Sequence, residues 1–289
     1  MNLSKISLCI LILIFGNLFH LKCQNEQTKK LGNRVNSEQR RIYDKTYTNY
    51  LVAQDHIDLC WWFDWQRAVK DVTVTTERQL ALLKSNSDYK FMFPQAQVYQ
   101  WLQEYRPDLF HEIKSYVDEG RWEISGAQWC EPDNTVPSGE TATRNFLIGK
   151  RYFREKFNKD IKIGYLPDSF GHIWTYPQIL KLSGIDFFVE TKLDDNAITK
   201  VPYLCNWKSP DGSGILTCNT FLYAGHVYGT RLRGYENYPR VVDYMNRTMD
   251  RAMTVGMNKA VRTFSQIGDN SGGPDQNELD SVRSANKRN

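Results

Sequence analysis

With 289 residues, 41% of them hydrophobic and 13% aromatic, the chain can bury one large core or two small ones, which excludes a disordered or fibrous protein. The formal net charge is +4. Setting aside Lys5 and Lys22, which fall in an expected leader, leaves 35 basic residues against 33 acidic ones, a balance that argues against nucleic acid as a partner.

The leader comes first. Lys5 precedes an apolar run from Ile6 to Phe19, the length of a secretory signal core and short for a membrane span. Cleavage near Cys23-Gln24 makes residues 1–23 a signal peptide, with an uncleaved anchor as the alternative. The mature chain is then expected in a secreted or extracytoplasmic compartment, such as a periplasm or lysosome, with no stable membrane span after cleavage. Residues 24–46 form a polar lead-in. Cys60, Cys130, Cys205 and Cys218 remain in the mature part at irregular spacing and without a Cys-x-x-Cys pair, which argues against a zinc–thiolate site. Asn246-Arg247-Thr248 is a glycosylation sequon.

From Leu51 an apolar strand runs into the polar cluster Gln54-Asp55-His56-Ile57-Asp58. Helical spacing over Arg67–Lys84 places Val69, Val72, Leu80 and Leu83 on one stripe. Tyr89–Phe93 reads as a second strand stopped by Pro94, followed by helices over Gln97–Tyr105 and Pro107–Glu119, the latter with proline in its first turn and Gly120 just past its end. A third strand, Arg121–Ala127, delivers Gln128 to Asn134. Ser138 opens a helix to Phe157, and a fourth strand, Ile161–Leu166, breaks at Pro167-Asp168.

A helix over Tyr176–Leu182 with Gly184 as its cap leads to a fifth strand, Asp186–Glu190. Asn206–Lys208 and Ile215–Phe221 flank a Ser-Pro-Asp-Gly-Ser-Gly turn, a hairpin signal. Cys205 and Cys218 lie on its two arms, and the sequence leaves open whether they form a disulfide. A helix over Tyr238–Thr254 and a strand over Val261–Ile267 precede the glycine-rich turn Gly268 to Pro274. Residues 275–289 read as a polar tail without a core-facing side. Strands alternating with helices imply parallel pairing through right-handed crossovers. The expected fold is therefore α/β, an incomplete or irregular parallel α/β barrel, with polar strand ends gathered at one face.

Those strand ends carry the chemistry. In His56-Ile57-Asp58, residues two apart on an extended strand face the same side and can converge on a divalent ion; a hydrogen-bonded His–Asp pair is the alternative. Asp168 is either a catalytic carboxylate at a strand end or the cap of a tight turn. Glu131, Asp133 and Asp269 supply further acids, and two carboxylates flanking a scissile bond are what glycoside hydrolysis requires. Asp269 lies in a glycine-rich turn that lacks the Lys-Ser/Thr of a P-loop. Gly-x-Ser-x-Gly is absent, which argues against a serine hydrolase of the α/β type. Trp61, Trp62 and Trp65 form either a sugar-stacking platform or a packed aromatic core.

Taken together, these stretches resemble a known family. His56-Ile57-Asp58-Leu59-Cys60-Trp61, the block Trp129-Cys130-Glu131-Pro132-Asp133 with Pro137-Ser138-Gly139-Glu140, and Pro167-Asp168-Ser169-Phe170-Gly171-His172 with Pro177-Gln178-Ile179-Leu180 are similar, in this order, to motifs of glycoside hydrolase family 38 α-mannosidases. The resemblance runs from about Tyr47 to Pro274, a catalytic domain over residues 47–274. It implies a retaining enzyme using one zinc ion on α-mannose-containing glycans. It further implies His56, Asp58 and Asp168 as metal ligands, Asp168 also as nucleophile, and Asp269 as acid/base. Trp61 is implied as the sugar-stacking aromatic, with Glu131 and Asp133 as substrate-binding acids.

The chain departs from the family pattern in three ways. A further histidine ligand expected downstream has no counterpart before Asn289, Asp195-Asn196 stands where Trp-Asn is usual, and the following domains are absent. The chain thus reads as a truncated N-terminal catalytic domain. Two other readings stand beside the leading one: a family member that only binds mannosides, and a metal-dependent carbohydrate esterase. Oligomeric state is not legible from the sequence.

Overall fold

The computed structural model describes residues 48–191, 201–220, 248–264 and 272–288, with side chains given for all of these but 262–264 and 285–288. The leader, the polar lead-in up to residue 47, the Asn246 sequon, Asp195-Asn196 and Asp269 lie outside the described residues.

Among the described residues, eight strands form two four-stranded sheets, β1 (Thr48–Gln54), β2 (Phe91–Pro94), β3 (Trp122–Ser125), β4 (Ile163–Leu166), β5 (Phe187–Glu190), β6 (Leu204–Lys208), β7 (Gly214–Asn219) and β8 (Lys259–Phe264). The sheet orders are β3-β2-β1-β8 and β4-β5-β7-β6, and every pairing is parallel except the β6/β7 hairpin. The sheets meet at one seam where the amide of Gly126, just past β3, donates to Ile163 O of β4 at 3.1 Å. On the other side, the Tyr203 hydroxyl spans to β8, donating to Val261 O and accepting from Val261 N. Two sheets joined at both seams make the expected irregular α/β barrel.

Helices α1 (Trp65–Ser85), α2 (Ala96–Tyr105), α3 (Pro107–Asp118), α4 (Gly139–Phe157), α5 (Tyr176–Leu182) and α6 (Gln276–Arg288) are joined by helical residues 248–254. Capping sets where they start. Asp64 accepts from Arg67 N at the head of α1, and Ser138 accepts from Thr141 N at the head of α4, each satisfying an amide the helix leaves open. Pro107 sits at the first position of α3, where its missing N–H costs nothing.

Strand residues alternate between two cores. Phe91 and Phe93 turn outward to the helices, where Phe91 and Trp122 meet edge to face at 5.0 Å and Tyr99 and Phe157 at 5.3 Å. Met92, between them, joins Ile163, Tyr165, Phe187 and Val189 inside the barrel. Both faces of these strands are therefore covered, as a parallel sheet requires. Each such aromatic side chain contributes about 1.5–3 kcal/mol by leaving water.

The structure departs from expectation in three places and decides a fourth point, the cysteine pair, that the sequence left open. On α1, Val69 is only half-buried, while the polar Thr75 and Gln79 are buried because they bind other loops. β2 includes Pro94, paired with Ser125, since a strand end tolerates a residue without a ladder donor. Cys205 and Cys218 form no disulfide: Cys205 pairs with Thr217 and Cys218 with Leu204, so the two thiols project to opposite faces of the hairpin. Residues 276–288, expected as part of a polar tail, form α6. There Asp275 and Glu278 exchange backbone hydrogen bonds as a capping box, Leu279 is buried, and Arg283 pairs with Asp88.

Candidate active site

Because the strands run parallel, their carboxyl ends open at one face. β1 lies between β2 and β8, and it projects Asp55, His56 and Asp58 there. Asp55 is buried and structural, its carboxylate accepting from Thr75 Oγ1 at 3.3 Å and from Gly272 N at 3.1 Å. One residue further on, His56 points toward the loop after β4, with Nε2 3.9 Å from Asp168 Oδ2. That separation is beyond hydrogen-bonding reach.

Asp58 joins them: one donor atom from each of His56, Asp58 and Asp168 lies within 4.8 Å of the others. One imidazole nitrogen and two carboxylate oxygens converging at this spacing fit a divalent ion of the zinc type. Burial alone lowers the His56 pKa, but the carboxylates of Glu131, Asp168, Asp58 and Asp55 outweigh it and hold the imidazole above its ordinary value of 6.5. A site that concentrates negative charge around a histidine is one that attracts a cation.

The loop after β3 is pinned by α4. Asn145 grips Cys130 from both sides, Oδ1 accepting from Cys130 N at 3.0 Å and Nδ2 donating to Cys130 O at 2.8 Å. Gly149 allows this approach, since a Cβ there would lie 2.4 Å from Gln128 C and 2.5 Å from Ala127 O. The pinned loop presents Glu131, whose Oε1 accepts the Asp168 amide at 2.6 Å. Burial pushes the Glu131 carboxyl up to about 7; Asp168 and Glu190 add to this, while His56 and the Asp168 amide oppose it.

The loop after β4 is tied down from β5. Thr191 Oγ1 donates to Pro167 O, and His172 Nε2 meets Glu190 Oε2 at 2.6 Å. The other ring nitrogen of His172 is 3.1 Å from Asn134 Nδ2, so the amide donates to Nδ1 while Nε2–H donates to the carboxylate. His172 also stacks on Tyr176 at 5.3 Å between ring centroids. Asp168 is therefore held on both sides of its loop.

The sequence-predicted residues divide as follows. His56, Asp58 and Asp168 come together, with Glu131 beside them. Trp61 is 58% exposed and Trp62 74%, so neither belongs to a packed core, while Trp65 stacks on Trp101. Asp133 is exposed and caps a turn through Thr135 N and Oγ1. Sequence reasoning missed Gln95, Asn145, Gly149 and the Glu190 partner of His172. Of these, only Gly149 carries a local signal, a glycine inside a helical pattern.

Gln95 stands out by its backbone, with φ +72 and ψ 116, a conformation that costs a non-glycine residue about 1–3 kcal/mol. It occupies the N-cap position of α2 yet makes no capping bond with its side chain. The amides of Ala96 and Gln97 donate instead to Gln128 O and Trp129 O.

Comparisons with known proteins agree with this architecture. The model of the glycosyl hydrolases family 38 N-terminal domain matches residues 46–289. The chain is 34% identical over 198 residues to alpha-mannosidase G of Dictyostelium discoideum, covering 68% of this chain and 18% of that protein. It is 30% identical over 241 residues to human alpha-mannosidase 2C1, covering 83% of this chain and 22% of that protein. Its fold is similar to that of an alpha-mannosidase from Enterococcus faecalis V583, with a TM-score of 0.69 at 17% identity over 84% of this chain and 27% of that one. The chain thus spans about a fifth of the length of these curated relatives. With the family model covering the whole described fold and every residue of the converging triad, the chain belongs to glycosyl hydrolase family 38, as its N-terminal domain.

Proposed function

We propose that this domain carries the nucleophile and metal site of a zinc-dependent, retaining α-mannosidase acting on terminal α-mannosides of glycans. The observation that carries the reading is the convergence of His56, Asp58 and Asp168 at one strand-end face, with an exposed Trp61 on the loop that follows Asp58. Bound zinc would be held by these three residues and would supply Lewis-acid grip on sugar hydroxyls.

The chain's own groups do the rest. The Asp168 carboxylate attacks the anomeric carbon and forms a glycosyl–enzyme ester as the bond to the leaving oxygen breaks, and water then hydrolyses that ester with retention. The Glu131 contact to the Asp168 amide fixes the backbone behind the nucleophile, which keeps the attacking oxygen in line. Trp61 offers an apolar face to the sugar ring. We assign the leaving-group proton to Asp269 and the hydroxyl contacts to Glu131 and Asp133. An extracytoplasmic location, set by the apolar run Ile6 to Phe19, is part of the same proposal.

Release of the aryl alcohol from an aryl α-mannoside by the zinc-loaded chain tests the proposal. Turnover in the parent and none in Asp168→Asn is the expected result. Undiminished activity in Asp168→Asn would overturn the nucleophile assignment. Mannoside binding without turnover would favour a binding-only protein, and acetate release from an acetylated sugar would favour an esterase.

A further inference from the structure

Three loops carry the converging groups: 55–63 after β1, 126–138 after β3 and 167–175 after β4. They are far apart in sequence, and nothing in β-strand pairing alone fixes the height of one loop against another. A single buried side chain links the first two. Gln95 is 1% exposed; its Nε2 donates to Ile57 O at 2.9 Å, and its Oε1 accepts from Glu131 N at 2.8 Å. Ile57 is the residue between His56 and Asp58. Glu131 in turn accepts the Asp168 amide through Oε1 at 2.6 Å. The result is a continuous chain of hydrogen bonds, Ile57–Gln95–Glu131–Asp168, that touches the backbone of every segment bearing a candidate ligand.

We infer that Gln95 is a positioning residue: its side-chain amide sets the spacing between the His56/Asp58 pair and Asp168 before any metal binds. The inference rests on the metal reading given above. Three features of the structure support it. The amide is used at both ends, once as donor and once as acceptor, so no charged or singly functional side chain of the same length replaces it. Its contacts are to backbone atoms, which makes them insensitive to the identities of the residues at 57 and 131. And the backbone at Gln95 adopts φ +72, a conformation glycine would take more readily. Strain kept at a buried position beside a cluster of ligands is characteristic of sites whose geometry is over-determined by their surroundings.

Zinc alone is the probe, and its affinity for the chain, measured by competition with a chromogenic chelator, is the readout. Gln95→Met keeps the length and removes both hydrogen bonds. Gln95→Gly also removes them while relieving the backbone. Unfolding midpoints without metal report the fold separately. Both variants are expected to bind zinc about 10- to 100-fold more weakly, the scale on which groups behind metal ligands act, with Gln95→Gly unfolding no earlier than Gln95→Met.

Zinc affinity within about twofold of the parent in both variants would overturn the inference, twofold being well inside the effect such groups have. So would parent-like affinity in Gln95→Gly with a loss only in Gln95→Met, which would assign the effect to backbone strain. Loss of the fold in both variants would make Gln95 a structural residue and overturn it as well. If the parent chain binds no zinc, the metal reading itself fails and the inference falls with it, a result told apart from the others by the parent measurement alone.

Discussion

The Glu131 carboxylate and the Asp168 amide are joined at 2.6 Å across 37 residues of sequence. This contact makes the proposed nucleophile depend on the loop after β3 as much as on its own strand. Glu131→Ala leaves the Asp168 amide without its acceptor, which costs about 1–3 kcal/mol, whereas Glu131→Gln keeps a carbonyl oxygen in the same place. Urea unfolding should show the larger loss for alanine, and aryl-mannoside turnover should fall further in alanine than in glutamine.

Metal uptake should depend on pH through His56. The carboxylates around it hold its pKa above 6.5, and an imidazole must be neutral to ligate. Protons therefore compete with zinc below that raised value, and apparent affinity should rise as pH climbs through it. A chelator titration across pH 5 to 8 that showed a flat zinc affinity would contradict the raised imidazole.

Gly149→Ala sets two effects against each other. Helix propensity favours alanine by about 1 kcal/mol. Against that, the new Cβ meets three backbone atoms of the 127–129 segment at 2.4, 2.5 and 2.6 Å, and backbone cannot swing aside as a side-chain tip can. Overpacking of this kind costs about 1–3 kcal/mol, so the substitution should destabilise. A raised unfolding midpoint in thermal denaturation would mean that the helix and the loop separate easily.

The His172–Glu190 pair is nearly closed to solvent, with the Glu190 side chain 2% exposed. Removing the Glu190 acceptor leaves the buried His172 Nε2–H without its partner, which costs about 1–3 kcal/mol. Glu190→Ala should approach that loss. Glu190→Gln, which retains one carbonyl acceptor for either His172 or the Thr191 amide but not for both, should lose less in the same denaturant series.

Asp160 gives an acid-stability signature. The hydrogen bond from Lys162, then that from Lys150, draws its carboxyl down to about 2. A depressed carboxylate stabilises the fold above its unfolded value of about 4, and that contribution is lost as pH falls towards 2. Its side chain is 42% exposed, so screening keeps the contribution below about 1 kcal/mol. Asp160→Asn should be slightly less stable than the parent near pH 6, with the difference fading near pH 2.

The sequence alone determined what depends on near neighbours. Strand–helix alternation announced the parallel barrel, and the close spacing of His56 and Asp58, which lie just past the end of β1, marked them as one candidate group. Pro107, Ser138 and the Ser209–Gly214 turn marked element ends through their own backbone chemistry. Asp275 and Glu278 also have capping-box spacing, a local signal for α6 outweighed by the polarity of the residues around it.

Only the tertiary structure decided which loops meet. Gln95 reads as an ordinary polar residue beside Pro94, and its importance lies in Ile57 and Glu131, 38 and 36 residues away. Gly149 matters because α4 packs on residues 127–129, and Cys205 and Cys218 stay apart because their pairing register puts them on opposite faces. Spacing along the chain fixes which way a side chain points, whereas the partner it finds depends on how parallel crossovers bring distant strand ends to a common face.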